Sequence, residues 1–171
     1  MMFKNLFTII IILTLISTSA VLDVPQEAEA ASQSSDQLSL SWPSAGANHT
    51  IKFKVANNIP AGGRLVITPE AGAFFVMDSF NVDEVDLATS SSINGPFVDR
   101  DLATSSSAIA DGVATVASTT NGTITFELNS SYGIPANTYV QIELGTHATH
   151  NNIGTAQIVN PGTVDSYKID A

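Results

Sequence analysis

The chain of 171 residues contains no cysteine, and basic and aromatic residues are scarce. Without cysteine it can form neither a disulfide nor a thiolate metal site, and it has no thiol nucleophile. Six Lys and Arg residues stand against 16 Asp and Glu, which gives a formal net charge of −10. Such a charge repels phosphate backbones, so the composition argues against nucleic acid as a partner.

Apolar runs are also few, and the longest lies at the N-terminus. Lys4 precedes the apolar stretch 6–16, and the small residues Ser17 to Ala20 follow it. This order is typical of a secretory signal peptide, so residues 1–20 are predicted to direct the protein to the cell surface or the extracellular space. The alternative is an uncleaved membrane anchor, although 6–22 is shorter and more polar than most spanning helices.

The remainder of the chain divides into a linker and one domain. Residues 21–36 are small or polar and show no period, which favours a flexible linker. Residues 37–171 are rich in Val, Ile and Thr, which suit half-buried strands better than helices. No stretch after the signal holds an apolar stripe of helical period, so the predicted class is all-β.

Short alternating segments separated by turn-forming pairs such as Asn94-Gly95 predict the strands. In 50–55, for example, Ile51 and Phe53 share one face while Lys52 and Lys54 share the other. The predicted segments are 38–42, 50–55, 64–68, 73–77, 82–87, 96–102, 112–117, 123–128, 139–144, 156–159 and 164–169. Their spacing predicts an antiparallel β-sandwich of about 8–10 strands, preceded by the signal helix.

Several motifs in this domain carry a resemblance to a known class of modules. They are Asn-His-Thr-Ile-Lys-Phe (48–53), Ile-Pro-Ala-Gly-Gly-Arg-Leu-Val-Ile-Thr (59–68), Asp-Glu-Val-Asp-Leu (83–87), Asn-Gly-Pro-Phe (94–97), Ile-Glu-Leu-Gly-Thr (142–146) and Val-Asn-Pro-Gly-Thr-Val-Asp-Ser-Tyr-Lys-Ile (159–169). Together they resemble Ig-like β-sandwich modules of bacterial secreted and cell-surface envelope proteins. The resemblance implies a fold and an extracellular location, and it implies no catalytic residues.

Acidic residues gather in the middle of the chain and are candidate ligands for a hard cation. Ca²⁺ prefers six to eight oxygen ligands, which loops between strands can supply. The candidate calcium ligands are Asp83, Glu84, Asp86, Asp99 and Asp101, with Asp111 nearby in sequence. Since no Asp-x-Asp-x-Asp-Gly loop is present, the alternative is that these acids are solvated side chains on strand faces.

Two histidines and three aromatic residues are further candidates for binding sites, and each set also has a purely structural explanation. His147 and His150 have a metal-like spacing but fall in a loop-like stretch without further ligands, so a solvated loop is favoured. Trp42 with Phe74 and Phe75 could stack on sugars, yet a lone Trp before Pro43 at a strand end is more often part of the sandwich core or a lid over it. No nucleophile elbow, zinc-protease helix or phosphate loop occurs, so no enzyme activity and no cofactor other than Ca²⁺ are predicted.

These observations predict a secreted, non-catalytic structural or adhesive module of a bacterial cell surface or extracellular assembly. Its expected partners are other envelope or matrix proteins, including further copies of itself joined by strand addition through the 31–42 segment. The alternative function is a carbohydrate-binding module for polysaccharide, with or without Ca²⁺.

Overall fold

The computed structural model describes residues 34–118, 121–150 and 152–171. The predicted signal peptide and most of the predicted linker lie outside the described residues. The described chain holds twelve strands and one turn of 3-10 helix, Val82–Glu84, and no α-helix. The strands are β1 Ser34–Leu38, β2 Gly46–Ala47, β3 His49–Lys54, β4 Arg64–Pro69, β5 Val85–Ser90, β6 Val98–Asp99, β7 Leu102–Ala103, β8 Asp111–Val116, β9 Thr123–Glu127, β10 Tyr139–Leu144, β11 Ile158–Val159 and β12 Ile169–Asp170. The predicted all-β class is confirmed.

Two five-stranded sheets form the body of the domain. The first sheet has the strand order β1-β3-β10-β5-β6, and the second has the order β12-β4-β9-β8-β7. A small pair, β2 with β11, lies apart from both sheets. Since β6 and β7 are separated by only two residues, those two edges lie on the same side of the domain. Strands β1 and β12 form the opposite edges.

Both sheets contribute to one hydrophobic core. In β3 and β10 every second side chain is buried, and β4 and β9 show the same alternation in the second sheet. Ile51, Ile142, Ile67 and Phe126 therefore belong to a single buried cluster. Alternation with period two puts all apolar side chains of a strand on one face, so the sequence itself determines which face is inward.

Strand β1 begins before the predicted boundary of the domain. It pairs antiparallel with β3, from Ser34 opposite Phe53 to Leu38 opposite His49. Residues 34–36, which the sequence places in the flexible linker, are thus part of the first sheet. The predicted strand 38–42 is wrong beyond Leu38, because that segment leaves the sheet and runs along the surface.

Several short predicted strands also differ from the structure. Segment 73–77 makes only isolated bridges, between Phe75 and Val159 and between Val76 and Ser118. Segment 96–102 divides into the two-residue strands β6 and β7, which raises the number of strands above the predicted 8–10. Strands β7 and β8 run parallel, because the chain loops through 104–110 before it pairs again, so the second sheet is mixed and not purely antiparallel.

Arg100 joins the two sheets on the side of β6 and β7. Its backbone N–H donates to the carbonyl of Leu87 in the first sheet. Its guanidinium donates through Nε and Nη2 to the carboxylate of Asp111 in the second sheet, at 2.5 and 2.9 Å. The two edges are therefore linked here by one residue. In the described part of the chain, no helix is long and apolar enough to cross a membrane.

Candidate functional site

A groove of about 540 Å³ opens between the edges β1 and β12. Strand β1 and the following residues form one wall, and the segment 160–167 forms the other. The core residues Ile51 and Phe74 contribute to its lining, together with Ile169, which packs against the core. Concave, mostly apolar surfaces with a few polar groups are the usual form of binding sites in proteins, so this groove is the main candidate site.

A buried histidine lies beside the groove. His49 is fully buried at the start of β3, and its ring packs edge-on against Phe74 at 5.9 Å between centroids. Its Nδ1 donates to Oδ2 of Asp36 in β1 at 2.8 Å, since an ionised carboxylate can only accept. The other ring nitrogen, Nε2, is buried and has no hydrogen-bond partner among the described residues. The Asp36 carboxylate is thus the sole polar partner of this imidazole there.

The segment after β1 is held by backbone and amide contacts. Nδ2 of the buried Asn160 donates to the carbonyls of Leu40 and Trp42, at 2.8 and 3.2 Å. The turn that follows is closed by the amide of Ala45, which donates to the carbonyl of Trp42 at 3.3 Å. Ser44, inside this turn, has a φ of 56°, a value that non-glycine residues rarely adopt.

Trp42 lies between Ser41 and Pro43, which line the groove, and it is not in the core. It is 70% exposed, and Leu38 and Leu40 on the same segment are also exposed. The prediction of Trp42 as a core residue is therefore wrong, because the segment 39–44 runs outside the first sheet. Phe74 is buried, as a core residue would be, and Phe75 is half-buried. The three aromatic side chains are not equivalent members of one exposed platform.

Glu84, one of the predicted calcium ligands, is a buried structural acceptor. Its Oε2 accepts the backbone N–H of Asn81, completing the cap of the 3-10 helix. Its Oε1 accepts the backbone N–H groups of Thr155 and Ala156, at 3.0 and 3.4 Å. Both carboxylate oxygens are therefore engaged by the protein. They hold the segment before β5 against the segment before β11.

The other four candidate ligands are distributed over different environments. Asp86 is buried in β5 and accepts from the backbone N–H of Leu87 and the hydroxyl of Thr149. Asp83 lies in the 3-10 helix, whereas Asp99 in β6 and Asp101 after it are exposed. Among the described residues, no group of three or more His, Asp or Glu side chains could hold a metal ion. Calcium binding by these five acids stays a prediction, and their positions do not support it.

Carboxylates nevertheless come together on the outer face of the first sheet. Glu143 in β10 lies directly opposite Asp86 in β5, and Asp99 lies opposite Ala88 on the same face. Burial, followed by the negative charges of Asp86 and Asp99, raises the pKa of Glu143 above its usual value of 4.5. Burial and Asp86 likewise raise the pKa of Asp99, against the opposing influence of His150. This face carries like charges held close together.

The loop 145–150 covers one end of that face. Nε2 of His147 lies 2.9 Å from the hydroxyl of Thr50, and the hydroxyl of Thr149 donates to Asp86 at 2.6 Å. Burial and the nearby His49 lower the pKa of the His147 imidazole, so it stays neutral to a more acidic pH. The loop placement predicted for His147 and His150 is confirmed. His147 is anchored to the sheet, however, and not simply solvated.

Asp111 is a buried ion-pair partner. Besides Arg100 it accepts from the backbone N–H and the side-chain amide of Asn129, at 2.7 and 3.0 Å. The guanidinium of Arg100 also donates to the carbonyl of Tyr132 at 2.9 Å. This network joins the start of β8 and the residues that follow β9 to Arg100, which lies between β6 and β7. It is a structural tie, because every charged atom in it has a protein partner.

Sequence reasoning missed the pair of His49 and Asp36 and the anchoring role of Asn160. One signal for His49 was available: in the alternating segment 49–55 it shares a face with Ile51 and Phe53, which predicts an inward-facing imidazole. Asp36 could not be found in this way, because it lies in a stretch without a pattern. Asn160 looks like an ordinary turn residue before Pro161.

Family models, curated proteins and solved structures give no support for the resemblance to Ig-like envelope modules. No protein-family model matches the chain. No curated protein and no solved structure matches it either. The Ig-like resemblance therefore stays a prediction that depends on the turn-and-strand motifs of the sequence.

Proposed function

We propose that this protein is a secreted, non-catalytic β-sandwich of Ig-like type that serves as a structural or adhesive module of a bacterial cell surface or extracellular assembly. The observation that carries the proposal is the N-terminal edge of the domain. Strand β1 is the outermost strand of the first sheet, and Leu38, Leu40 and Trp42 are exposed along and beyond it. An edge strand with neighbouring exposed apolar side chains is a typical site of protein association.

The environment of the buried polar residues supports a structural role. Glu84, Asp86 and Asp111 each accept hydrogen bonds that connect separate segments of the chain. Charged groups used in this way stabilise loops and edges and are not free for proton transfer. The signal-peptide pattern in 1–20 supports export.

Association in solution tests the proposal directly. The secreted product of the full chain is examined by size-exclusion chromatography with light scattering over a wide range of concentrations. We expect the wild type to self-associate, and the variant Leu38→Ser/Leu40→Ser/Trp42→Ser to associate more weakly because the exposed apolar side chains of this edge are lost. The control variant, Ile109→Ser/Tyr132→Ser, removes side chains that are 78% and 70% exposed elsewhere and should associate like the wild type. A wild type that is monomeric at every concentration would contradict the proposal.

A second function is favoured by the exposure of Trp42. The exposed indole of Trp42, between the groove-lining residues Ser41 and Pro43, can stack on the apolar face of a sugar, which makes a carbohydrate-binding module the alternative. Affinity electrophoresis on a panel of polysaccharides tests it, with Trp42→Ala as the variant and Tyr132→Ala as the matched control. Retardation that is lost only in Trp42→Ala supports it. Because the five acids do not converge, EDTA should leave any such binding unchanged.

A further inference from the structure

We infer that the N-terminal arm, defined as residues 34–42, exchanges between two copies of this chain, so that the arm of each copy pairs with β3 of the other. This inference builds on the proposed function, since it names the route of self-association. An exchanged arm forms the same contacts as in the single copy, and the association therefore needs no new surface.

The arm is poorly buried. Each of its residues from Ser35 to Trp42 is exposed. The arm contains the apolar residues Leu38, Leu40 and Trp42, but none of them belongs to the core cluster. Its hold on the domain comes from the ladder with β3, the amide contacts of Asn160 and the bond of Asp36 to His49. An arm held mainly by backbone bonds can leave without opening the core.

The surface beneath the arm requires a strand of this particular sequence. Without the arm, β3 becomes an unpaired six-residue edge, and the buried His49 loses the partner of its Nδ1. A buried polar group without a partner is unfavourable, so the return of a carboxylate to that position is favoured. The strand that supplies it in the correct register is β1, whether from the same copy or from another.

A second anchor recognises the other end of the arm. Nδ2 of Asn160 donates to the carbonyls of Leu40 and Trp42, so these two contacts use only backbone atoms of the arm. In an exchanged dimer, Asn160 of one copy makes the same contacts with the arm of the other. The arm is thus recognised at Asp36 by charge and at 40–42 by its extended backbone.

The turn at 42–45 is the hinge. In the single copy the chain reverses at Pro43 and Ser44, and Ser44 takes the third position of the turn with a φ of 56°. That position favours glycine, so the turn is strained by its sequence. Exchange lets the chain pass straight through Pro43, which itself favours extended backbone at Trp42. A strained short hinge is a common cause of strand exchange.

Two cysteine pairs that share one substitution distinguish exchange from other association. Lys52 in β3 lies between Ser35 of β1 and Gln141 of β10 in the same row. In S35C/K52C the disulfide joins the arm to β3, and in K52C/Q141C it joins two strands that do not exchange. The natural chain has no cysteine, so these are the only thiols, and facing residues are close enough for a bond.

The full-length secreted variants are concentrated under reducing conditions, oxidised, and separated without reductant in denaturant. We expect the dimer fraction of S35C/K52C to yield covalent dimers and that of K52C/Q141C to yield only monomers. A dimer fraction whose S35C/K52C bonds are all within one chain would overturn the exchange while leaving the proposed function in place. Complete absence of dimers would overturn both. Q37C/T50C, the neighbouring pair in the register, repeats the test if S35C/K52C does not fold.

The hinge gives an independent measurement. Ser44→Gly relieves the strain of the turn in the single copy, so the dimeric fraction at a given concentration should fall by roughly fivefold or more. The matched control, Ser41→Gly, lies in the arm outside the turn and should leave the fraction near that of the wild type. An unchanged fraction in Ser44→Gly would contradict the assignment of the hinge.

Discussion

Glu143 shows how a single side chain on the outer face of the first sheet affects stability. Its pKa is raised by burial and by the charges of Asp86 and Asp99, so the folded state binds its proton more tightly than the unfolded state. The charged form is therefore unfavourable at neutral pH. This penalty disappears as the pH falls through the raised pKa toward 4.5, where both states become protonated.

We expect Glu143→Gln to raise the free energy of unfolding at pH 7 by roughly 0.2–1 kcal/mol, because it removes a like charge facing Asp86. The amide oxygen can still accept from Gln141. Urea unfolding at several pH values measures the effect, which should vanish near pH 4. Glu127→Gln is the control of opposite sign, since bonds from Ser106 and Arg64 lower the pKa of Glu127. Destabilisation by Glu143→Gln at pH 7 would contradict the reasoning.

The two arginines of the chain make ion pairs that should differ greatly in their contribution to the free energy of unfolding. Arg100 pairs with the fully buried Asp111, whereas Arg64 pairs with Glu127 at side-chain exposures of 68% and 40%. We expect Arg100→Ala to cost about 3–5 kcal/mol, because it leaves a buried carboxylate without its cation. Arg64→Ala should cost less than about 1 kcal/mol. Chemical denaturation of both variants compares them, and equal losses would contradict the burial of the Arg100 pair.

One heptapeptide occurs twice and folds in two ways. Asp-Leu-Ala-Thr-Ser-Ser-Ser spans 86–92 and 101–107. The first copy forms most of β5, with Asp86 buried, while the second contributes only β7 before it turns away, with Asp101 exposed. Only the leucine keeps its role, since Leu87 and Leu102 are both buried. The local sequence is therefore insufficient here, and the neighbouring strands decide the outcome.

At the scale of elements, Glu84 connects the 3-10 helix to the segment before β11. Replacing it with alanine removes the acceptor of three backbone N–H groups, from Asn81, Thr155 and Ala156. We expect Glu84→Ala to lower the free energy of unfolding by about 1–3 kcal/mol. Glu70→Ala is the matched control, because Glu70 accepts a single exposed N–H, from Lys168. A similar loss in both variants would contradict a special role for Glu84.

The long alternating strands could be predicted from the sequence, and the short ones could not. Segments 50–55, 64–68 and 123–128 differ from β3, β4 and β9 by at most one residue at either end, and 139–144 coincides with β10. Their buried faces repeat with period two, which is a local property. Segment 73–77 is entirely apolar, without polar residues in alternation, and it pairs only through isolated bridges to Val159 and Ser118. Tertiary contacts decide such cases.

For the whole molecule, the net charge of −10 opposes any contact between two copies. Salt shortens the range of this repulsion to about 10 Å at 0.1 M and about 3 Å at 1 M. We therefore expect the self-association of the wild type to strengthen as NaCl rises from low concentration to about 0.5 M. Light scattering at fixed protein concentration measures it. Association that weakens with salt would instead indicate attraction between opposite charges.

The candidate site was harder to predict than the fold. The five acids proposed as calcium ligands are near one another in sequence, but the strands bring only Asp86 and Asp99 to one face, while Glu84 is a buried acceptor of backbone N–H groups and Asp101 is exposed. The groove depends on Ile51, Phe74 and Asn160, which are far apart in the chain. Proximity in sequence indicates a site only where one loop supplies all the ligands. Here no single loop does.

The bond network at Arg100 has a consequence for how the domain opens. Arg100 fastens the two sheets along β6 and β7, while the opposite side holds the groove between β1 and β12. When the domain opens, we therefore expect the two sheets to separate first at the groove between β1 and β12 and to stay joined longest at Arg100. Amide hydrogens of β1 and β12 should then exchange with solvent deuterium soonest and those of β5 and β8 latest, a gradient that runs across strands and ignores their order in the chain.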